Sequence, residues 1–554
     1  MWVVWLAMRH HKARAFSRGL LTLLILVACL LAASTWRVFG HTWDEPEHLA
    51  AGMELLDRGI YEFDTEHPPL ARAMIALGPH LAGSHSFGTP PPDGTQEGVD
   101  ILYDGGHYDR TLMLARLGAL PFLPVLLFAM YLWSRRVMDS DGAGLLAVLL
   151  LMSVPPVIGH SALAALDIPG TATTLLALFL LQLWLVRGWR RDALLFGLAA
   201  GVAFCTKLSA IPFIGLGMLV LLLLRAFLSV APAAVSVQRR WLGLVLMAVA
   251  TLVPITLVYG LNGLQVIPMP PRFNWVMAYL YPDGGGLSGF IKQLQLPAAW
   301  WNFGEGVMAL KAHNDTGHVS FLLGNIKAGG WWYFYLVALA VKTPLPLLLS
   351  GVVGLCLLAR DGLRQASTWR MAPVVLFITL LVFASAFSRI NIGIRHVLIL
   401  YPFLAMGATY ALVCVWRAWP RLGTAAASVI VAWEVGAFGA AYPDYFPYFN
   451  ELVSNPQRVL VDSDLDWGQD LKRLERRLAE LKVPSISLAY QGTADLAKEP
   501  LPPVTRLAPR QPATGWVAIT ALSREHEPLG YTWLDPYRPV ERVGKTIDLY
   551  FIPP

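Results

Sequence analysis

The feature that most restricts this chain is the recurrence of unbroken apolar runs about 20 residues long, since a helix of that length is about 30 Å long and matches the hydrocarbon layer of a bilayer. Such runs lie at roughly 20–39, 111–133, 143–159, 168–186, 193–206, 208–228, 241–260, 336–359, 372–388, 396–416 and 423–441, about eleven spans in all. A chain of this kind folds as a multi-pass α-helical membrane protein, because lipid offers no partner to an open backbone. With 56% apolar and 14% charged residues, against about 25% charged in soluble proteins, it is not a soluble enzyme. The net charge of +6 does not point to nucleic acid, because the basic residues sit in small clusters between the runs rather than on one face.

Those clusters set the orientation. With the amino terminus in the cytoplasm, the cytoplasmic segments carry Arg9, Lys12, Arg14 and Arg18, then Arg135 and Arg136, then Arg187, Arg190 and Arg191. Arg225, Arg239 and Arg240 follow, with Arg360, Arg364 and Arg370, and finally Arg417 and Arg421. Each cytoplasmic turn is then basic, as the charge rule requires. The other side receives a long loop at 40–110, a turn at 160–167, a second long loop at 261–335, the turn 389–395 and the carboxy-terminal tail. The chain thus divides into a membrane part, 1–441, and an outer tail, 442–554. In the tail, RVLVDSDLDWGQDLKRLERRLAELKVPSISLAY reads as strand, turn, charged helix and strand, and GWVAITAL and KTIDLYFI as further strands, giving a small α/β domain. The four cysteines lie in or at the ends of apolar runs, with no disulfide or zinc-finger spacing.

Ionisable groups gather on the outer side. Loop one opens with Asp44, Glu45 and Glu47 at the start of a helix marked by Pro46 and ended by Arg58-Gly59. Leu49, Gly52, Met53 and Leu56 form an apolar stripe, so this helix is expected to lie along the membrane surface. Asp44 reads as a helix cap, with Glu47 three residues on completing a capping-box pattern. Capping and catalysis are compatible, because a helix start keeps a carboxylate ionised and ready to take a proton. Glu66-His67 precedes Pro68-Pro69, and Asp167 opens a span two residues before Pro169. In the tail, Asp462, Asp464, Asp466 and Asp470 crowd one turn; the spacing is not that of a calcium loop, and a strand-to-helix turn with an Asp cap accounts for it.

Asp44-Glu45 after the first span, Glu66-His67-Pro68-Pro69 some twenty residues later and Asp167 after the third span together resemble the GT-C membrane glycosyltransferases, the group of protein O-mannosyltransferases and lipid A aminoarabinose transferases. The segments 329–349, 391–403 and 448–471 are similar to bacterial polyprenyl-phosphate-dependent members. One departure is clear: the aminoarabinose transferases carry Glu-Lys-Pro-Pro where this chain has Glu66-His67-Pro68-Pro69, so a titratable group replaces a fixed cation. The resemblance implies an inverting glycosyltransferase of the bacterial inner membrane with its site on the periplasmic side, moving a sugar from a polyprenyl-phosphate donor to a hydroxyl acceptor. It implies Asp44 as general base with Glu45 beside it, and Glu66, His67 and Asp167 as groups that position donor and acceptor. The leaving phosphate needs cations or hydrogen-bond donors, and Lys207, Lys342, Arg389, Arg395 and His396 are the candidates for that contact on the outer side, where the charge rule expects few basic residues, Arg395-His396 foremost among them. Glu66 with His67, His41 or His313 could instead hold a divalent cation, and the spacing selects neither metal nor metal-free chemistry. A lipid-linked sugar transporter or flippase and an oligosaccharide ligase are the competing readings. A transporter, however, would place its ionisable groups near the bilayer midplane.

Overall fold

The computed structural model describes residues 2–90, 92–228, 237–261 and 265–554. The side chains of 2–14, 237–240 and 286 fall outside the description, and with them those of Arg9, Lys12, Arg14, Arg239 and Arg240. Among the described residues, nine helices are long and apolar enough to cross a membrane, and ten with a pair, Asp141–Met152 and Pro155–Ser161, bent by 73°. The protein is a multi-pass helical membrane protein with a small carboxy-terminal sheet. The difference from about eleven is local: Arg190–Thr206, at 17 residues, is at the lower limit for a span. The run expected at 336–359 still supplies one span, Leu345–Arg364, with the short helix Phe334–Lys342 broken off before it. Pro344 has no N–H to continue the helix and pushes Thr343 out to φ −97°, ψ 130°.

After the first helix, α1 (Trp2–Ser34), the outer loop folds into three helices: α2 (Glu45–Arg58), α3 (Pro69–Leu81) and α4 (Gly94–Tyr103). The Pro and Gly signals hold, with Pro46 in the first turn of α2 and Gly59 closing it at φ 65° with its N–H on Leu55 O. The apolar stripe does not face lipid as expected. Leu49 and Met53 are buried with Ala71, Ile75 and Ala76 of α3, and a Cβ on Gly52 would overlap the Arg72 carbonyl. A Cβ on Gly98 of α4 would likewise overlap the carbonyl of Pro46. Two glycines therefore let α3 and α4 close on α2, and α2 becomes a core element with Glu45–Leu55 almost wholly buried.

The tail forms a five-stranded sheet in the order Val504–Arg506, Ile486–Ala489, Gly515–Thr520, Ile547–Ile552, Glu541–Val543. The first three strands are parallel and the last two pairings antiparallel. Helix Leu471–Glu480 lays Leu471, Leu474 and Leu478 on it, packed with Ile486, Leu488 and Leu549. RVLV is not the strand expected: Pro456–Arg458 is a short 3-10 turn, and Val459 O accepts the N–H of Leu323 instead of joining the sheet. The segment leading into the sheet is anchored on the membrane part, where Asn450 Nδ2 donates to Ala340 O and Thr343 O at 2.6 and 2.7 Å.

Candidate active site

Asp44 occupies the N-cap of α2 but makes no capping hydrogen bond. Its Oδ2 accepts instead from Arg395 Nη1 at 2.6 Å, and its side chain, 24% exposed, is the most open member of the cluster it joins. A capping-type exchange runs two residues earlier: Glu45 Oε2 accepts from the N–H of Thr42 at 2.8 Å, in the manner of the reciprocal half of a capping box. Glu45 also takes Arg116 Nε and Nη2 at 2.8 and 2.9 Å and the Ala164 N–H at 2.8 Å. Burial would raise its pKa, but the charge and hydrogen bonds of Arg116 outweigh that and hold it low. Its oxygens are fully engaged, so Glu45 fixes the start of α2 and has no free lone pair for a substrate proton.

Asp167, the first residue of helix Asp167–Arg187, pairs with Lys207 Nζ at 2.5 Å and lies 4.0 Å from Arg395 Nη1. Lys207 follows the end of helix Arg190–Thr206, and Gly170 leaves room for its stem, which a Cβ there would strike. Four segments therefore bring Asp44, Arg395, Asp167 and Lys207 into one alternating chain of charge, with His396 alongside. Burial lowers the Arg395 pKa and the two aspartates raise it by more, so it stays a cation. Burial, then Arg395 and Lys207, drive His396 well below its ordinary value and leave it neutral. Arg395 Nε and His396 Nε2 are buried and make no hydrogen bond, which leaves two polar atoms for an incoming group.

A second knot adjoins the first. Arg72 of α3, wholly buried, ion-pairs with Asp64 and donates to Tyr61 Oη at 3.0 Å and to His48 Nδ1 at 3.2 Å. Asp64 Oδ2 also meets His67 Nδ1 at 2.6 Å. Burial works against the ionised form of both, but their mutual attraction prevails: Asp64 lies well below its usual range, and His67 is raised. Glu66 turns the other way to His313 Nδ1 at 2.9 Å on helix Ala298–Thr316 of the second long loop. That helix comes close enough for a Cβ on Gly306 to overlap Thr65 O.

Two expected residues lie elsewhere. Lys342 is wholly buried, its Nζ donating to the carbonyls of Phe446 and Asp464 and resting 4.4 Å from the Phe449 ring centre; it ties the tail to the membrane part. Arg389 is exposed and donates to Asp315 O at 2.5 Å, so it belongs to the second loop.

The aspartate-rich turn of the tail is built into the site. Ile394 N–H donates to Asp464 Oδ1 at 3.0 Å, Trp43 N–H to Trp467 O at 3.0 Å and Gly40 N–H to Gln469 O at 2.9 Å. The turn thus grips the residue before Arg395 and the residue before Asp44. Arg395 lies over the Trp467 ring at 4.3 Å. Asp466 and Asp470 point the other way and accept from Leu522 N–H at 2.7 Å and Lys545 N–H at 3.0 Å. The Asp462 pKa is pushed up to about 6 by burial against the opposing pull of Arg395.

An apolar cavity of about 320 Å³ opens beside the charged chain, lined by Leu208, Ile211, Phe213, Leu310, Phe383 and Phe387, with His396 at its edge. A small polar recess lined by Asp167, Lys207, Arg395 and His396 shares Ser209, Phe213 and His396 with it. The apolar cavity and the cationic recess therefore adjoin, with Ser209, Phe213 and His396 between them.

Residues 57–269, somewhat under two fifths of the chain, match the family model of dolichyl-phosphate-mannose-protein mannosyltransferase. The chain resembles the GT-C membrane glycosyltransferases. Among solved structures, ArnT from Cupriavidus metallidurans bound to undecaprenyl phosphate is similar at 14% identity and a TM-score of 0.46, over 96% of this chain and 98% of that one. The oligosaccharyltransferase AglB from Archaeoglobus fulgidus, in complex with an inhibitory peptide and a dolichol-phosphate, is similar at 11% identity and 0.48, over 87% and 65%. No curated protein matches the chain in sequence.

Sequence reasoning missed Arg72, Arg116, Asp64 and Trp467. Arg116 lies within an expected span, and an arginine there, where a charge is costly, was the available signal. Arg72 follows Pro68-Pro69 with nothing local to mark it as buried, and its burial goes with the close crossing at Gly52.

Proposed function

We propose that the protein transfers a sugar from a polyprenyl-phosphate donor to a hydroxyl acceptor with inversion at the anomeric carbon. The observation that supports this reading is the apolar cavity set directly beside Lys207, Arg395 and His396, an order of apolar and cationic groups that suits a lipid phosphate. The isoprenoid chain lies along Ile211, Phe213 and Phe383. The phosphate meets the Lys207 ammonium, the unpaired Arg395 Nε and the unpaired His396 Nε2, and Asp167 keeps the two cations in place. Charge grows on the leaving phosphate as the glycosidic bond breaks, and preorganised donors stabilise that change.

The acceptor oxygen attacks the anomeric carbon from the face opposite the phosphate. The bond from that carbon to the phosphate oxygen breaks, its electron pair leaves with the polyprenyl phosphate, and the hydroxyl proton passes to Asp44. Asp44 is the most open carboxylate of the cluster and is released as Arg395 turns from it to the phosphate. Glu45 acts as a positioning residue through Arg116, and Glu66, His67 and His313 border the acceptor side. The site faces the outer side of a bacterial inner membrane, with the amino terminus in the cytoplasm and the sheet domain in the periplasm. The transporter reading gains no support from the site, since Asp167 and Lys207 stand at helix ends.

Binding tests the donor half. Polyprenyl phosphate titrated into the purified chain is expected to bind in preference to polyprenol, and Lys207→Gln to weaken that preference about tenfold or more, the loss of one hydrogen bond to a charge. Equal binding of the two lipids, or no effect of Lys207→Gln, contradicts the assignment.

A further inference from the structure

At the far end of α2, thirteen residues and so about 20 Å from Asp44 along the helix, three side chains converge that the proposed transfer does not use. Asp57 Oδ1 lies 2.9 Å from His80 Nδ1 and 3.1 Å from His85 Nδ1. The rings stand edge to face, 5.5 Å between centres at 87°. Asp57 comes from the last turn of α2, His80 from the last turn of α3 and His85 from the segment beyond it. Three ligand atoms, one from each, lie within 4.8 Å of one another.

We propose that Asp57, His80 and His85 bind a divalent first-row cation of the zinc type. Ligand bonds of about 2.0–2.1 Å in a tetrahedron place neighbouring ligand atoms about 3.3 Å apart, and the two observed separations need open by only a few tenths of an ångström. His80 Nδ1 is closed off from solvent and forms no hydrogen bond despite its distance from the carboxylate. His85 Nδ1 shares a hydrogen bond of 3.1 Å with the same Asp57 oxygen, and a cation at the point where the three atoms meet takes the place of that proton. Two imidazoles and a carboxylate are the donor set of a borderline cation, with the fourth position left to water. The carboxylate is already oriented, since Asp57 Oδ2 accepts from Ser86 N–H at 2.7 Å. Glu97, wholly buried, fixes the following turn through Ser86 Oγ and the Phe87 N–H at 2.6 and 2.7 Å. The cation clamps the ends of α2 and α3 to this turn and takes no part in chemistry at Asp44.

The test is zinc titration of the full-length chain, purified in detergent and stripped with chelator, followed by calorimetry and by the visible absorption of cobalt as a zinc substitute. The wild type is expected to bind one more zinc than His80→Ala/His85→Ala, or to bind it more than about 100-fold more tightly, beyond the effect of losing a mere supporting partner. It should also show the absorption of four-coordinate cobalt. His85→Ala alone, at a side chain 64% exposed, gives the same reading without threatening the fold. Glu66→Gln/His313→Gln is expected to retain the site, which separates it from any cation at the proposed active site. Equal zinc binding by the wild type and His85→Ala, or no binding by either, overturns the proposal.

Discussion

At the scale of single residues, the outer loop is organised by ion pairs whose members would be costly to bury alone. Asp64, His67 and Arg72 carry a pH dependence whose sign follows from their shifts. His67 is raised above its ordinary 6.5, so its contribution is complete below that pH and is lost as pH rises through the raised value. Asp64 is depressed below its ordinary 3.8, so its contribution is complete above that pH and is lost only in strong acid. Melting of the purified chain in detergent is therefore expected to fall as pH rises above about 6.5, and Asp64→Asn to reduce that slope to the part that His313 with Glu66 supplies while costing about 3–5 kcal/mol, because Arg72 then lies buried without its counter-ion. An unchanged slope in Asp64→Asn contradicts the pairing. Asp44, Asp167, Lys207 and Arg395 were legible as ionisable residues on the side where few cations belong. Their pairing was not, because Arg395 follows Asp44 by 351 residues and nothing local in the sequence joins them. The placing of Lys342 and Arg389 away from the charged chain has the same origin: charge and side were readable, the carbonyls they serve were not.

At the scale of elements, small residues decide where the helices meet. Gly52→Ala places a methyl group against the Arg72 carbonyl. Since backbone has little room to yield, a loss of about 1–3 kcal/mol is expected, seen as a lower melting temperature; an unaltered midpoint would show that α2 and α3 can part freely. The start and stop of α2 were readable from Pro46 and Gly59, because those signals act within one turn. Its depth was not, because the stripe of Leu49, Gly52 and Met53 fits a lipid surface and a neighbouring helix equally. The aspartates of the tail were read as a turn, and a turn they form. Their larger part is to carry backbone of the membrane domain and of the sheet at once, through Asp464 on one side and Asp466 and Asp470 on the other.

At the scale of the whole molecule, the helical membrane architecture was written in the length of the apolar runs, and the strands SISLAY, GWVAITAL and KTIDLYFI in their alternation. RVLV has the composition of a strand but is held by Leu323 and the turn at Pro456, a tertiary effect its own residues do not encode. The orientation argued from the basic turns has a direct check. A reporter active only outside the cytoplasm, fused after Pro554, is expected to be active, and one that works only in the cytoplasm to be silent; the reverse would invert the assignment of sides. The central claim is that Asp44 takes the acceptor proton as a lipid-linked sugar is transferred. Its most direct test supplies membranes containing the wild type or Asp44→Asn, at equal protein levels, with polyprenyl-phosphate sugars and follows release of free polyprenyl phosphate by mass spectrometry. The account predicts release by the wild type and a loss of about 100-fold or more in Asp44→Asn, the range of a general base. Equal release from both would contradict it.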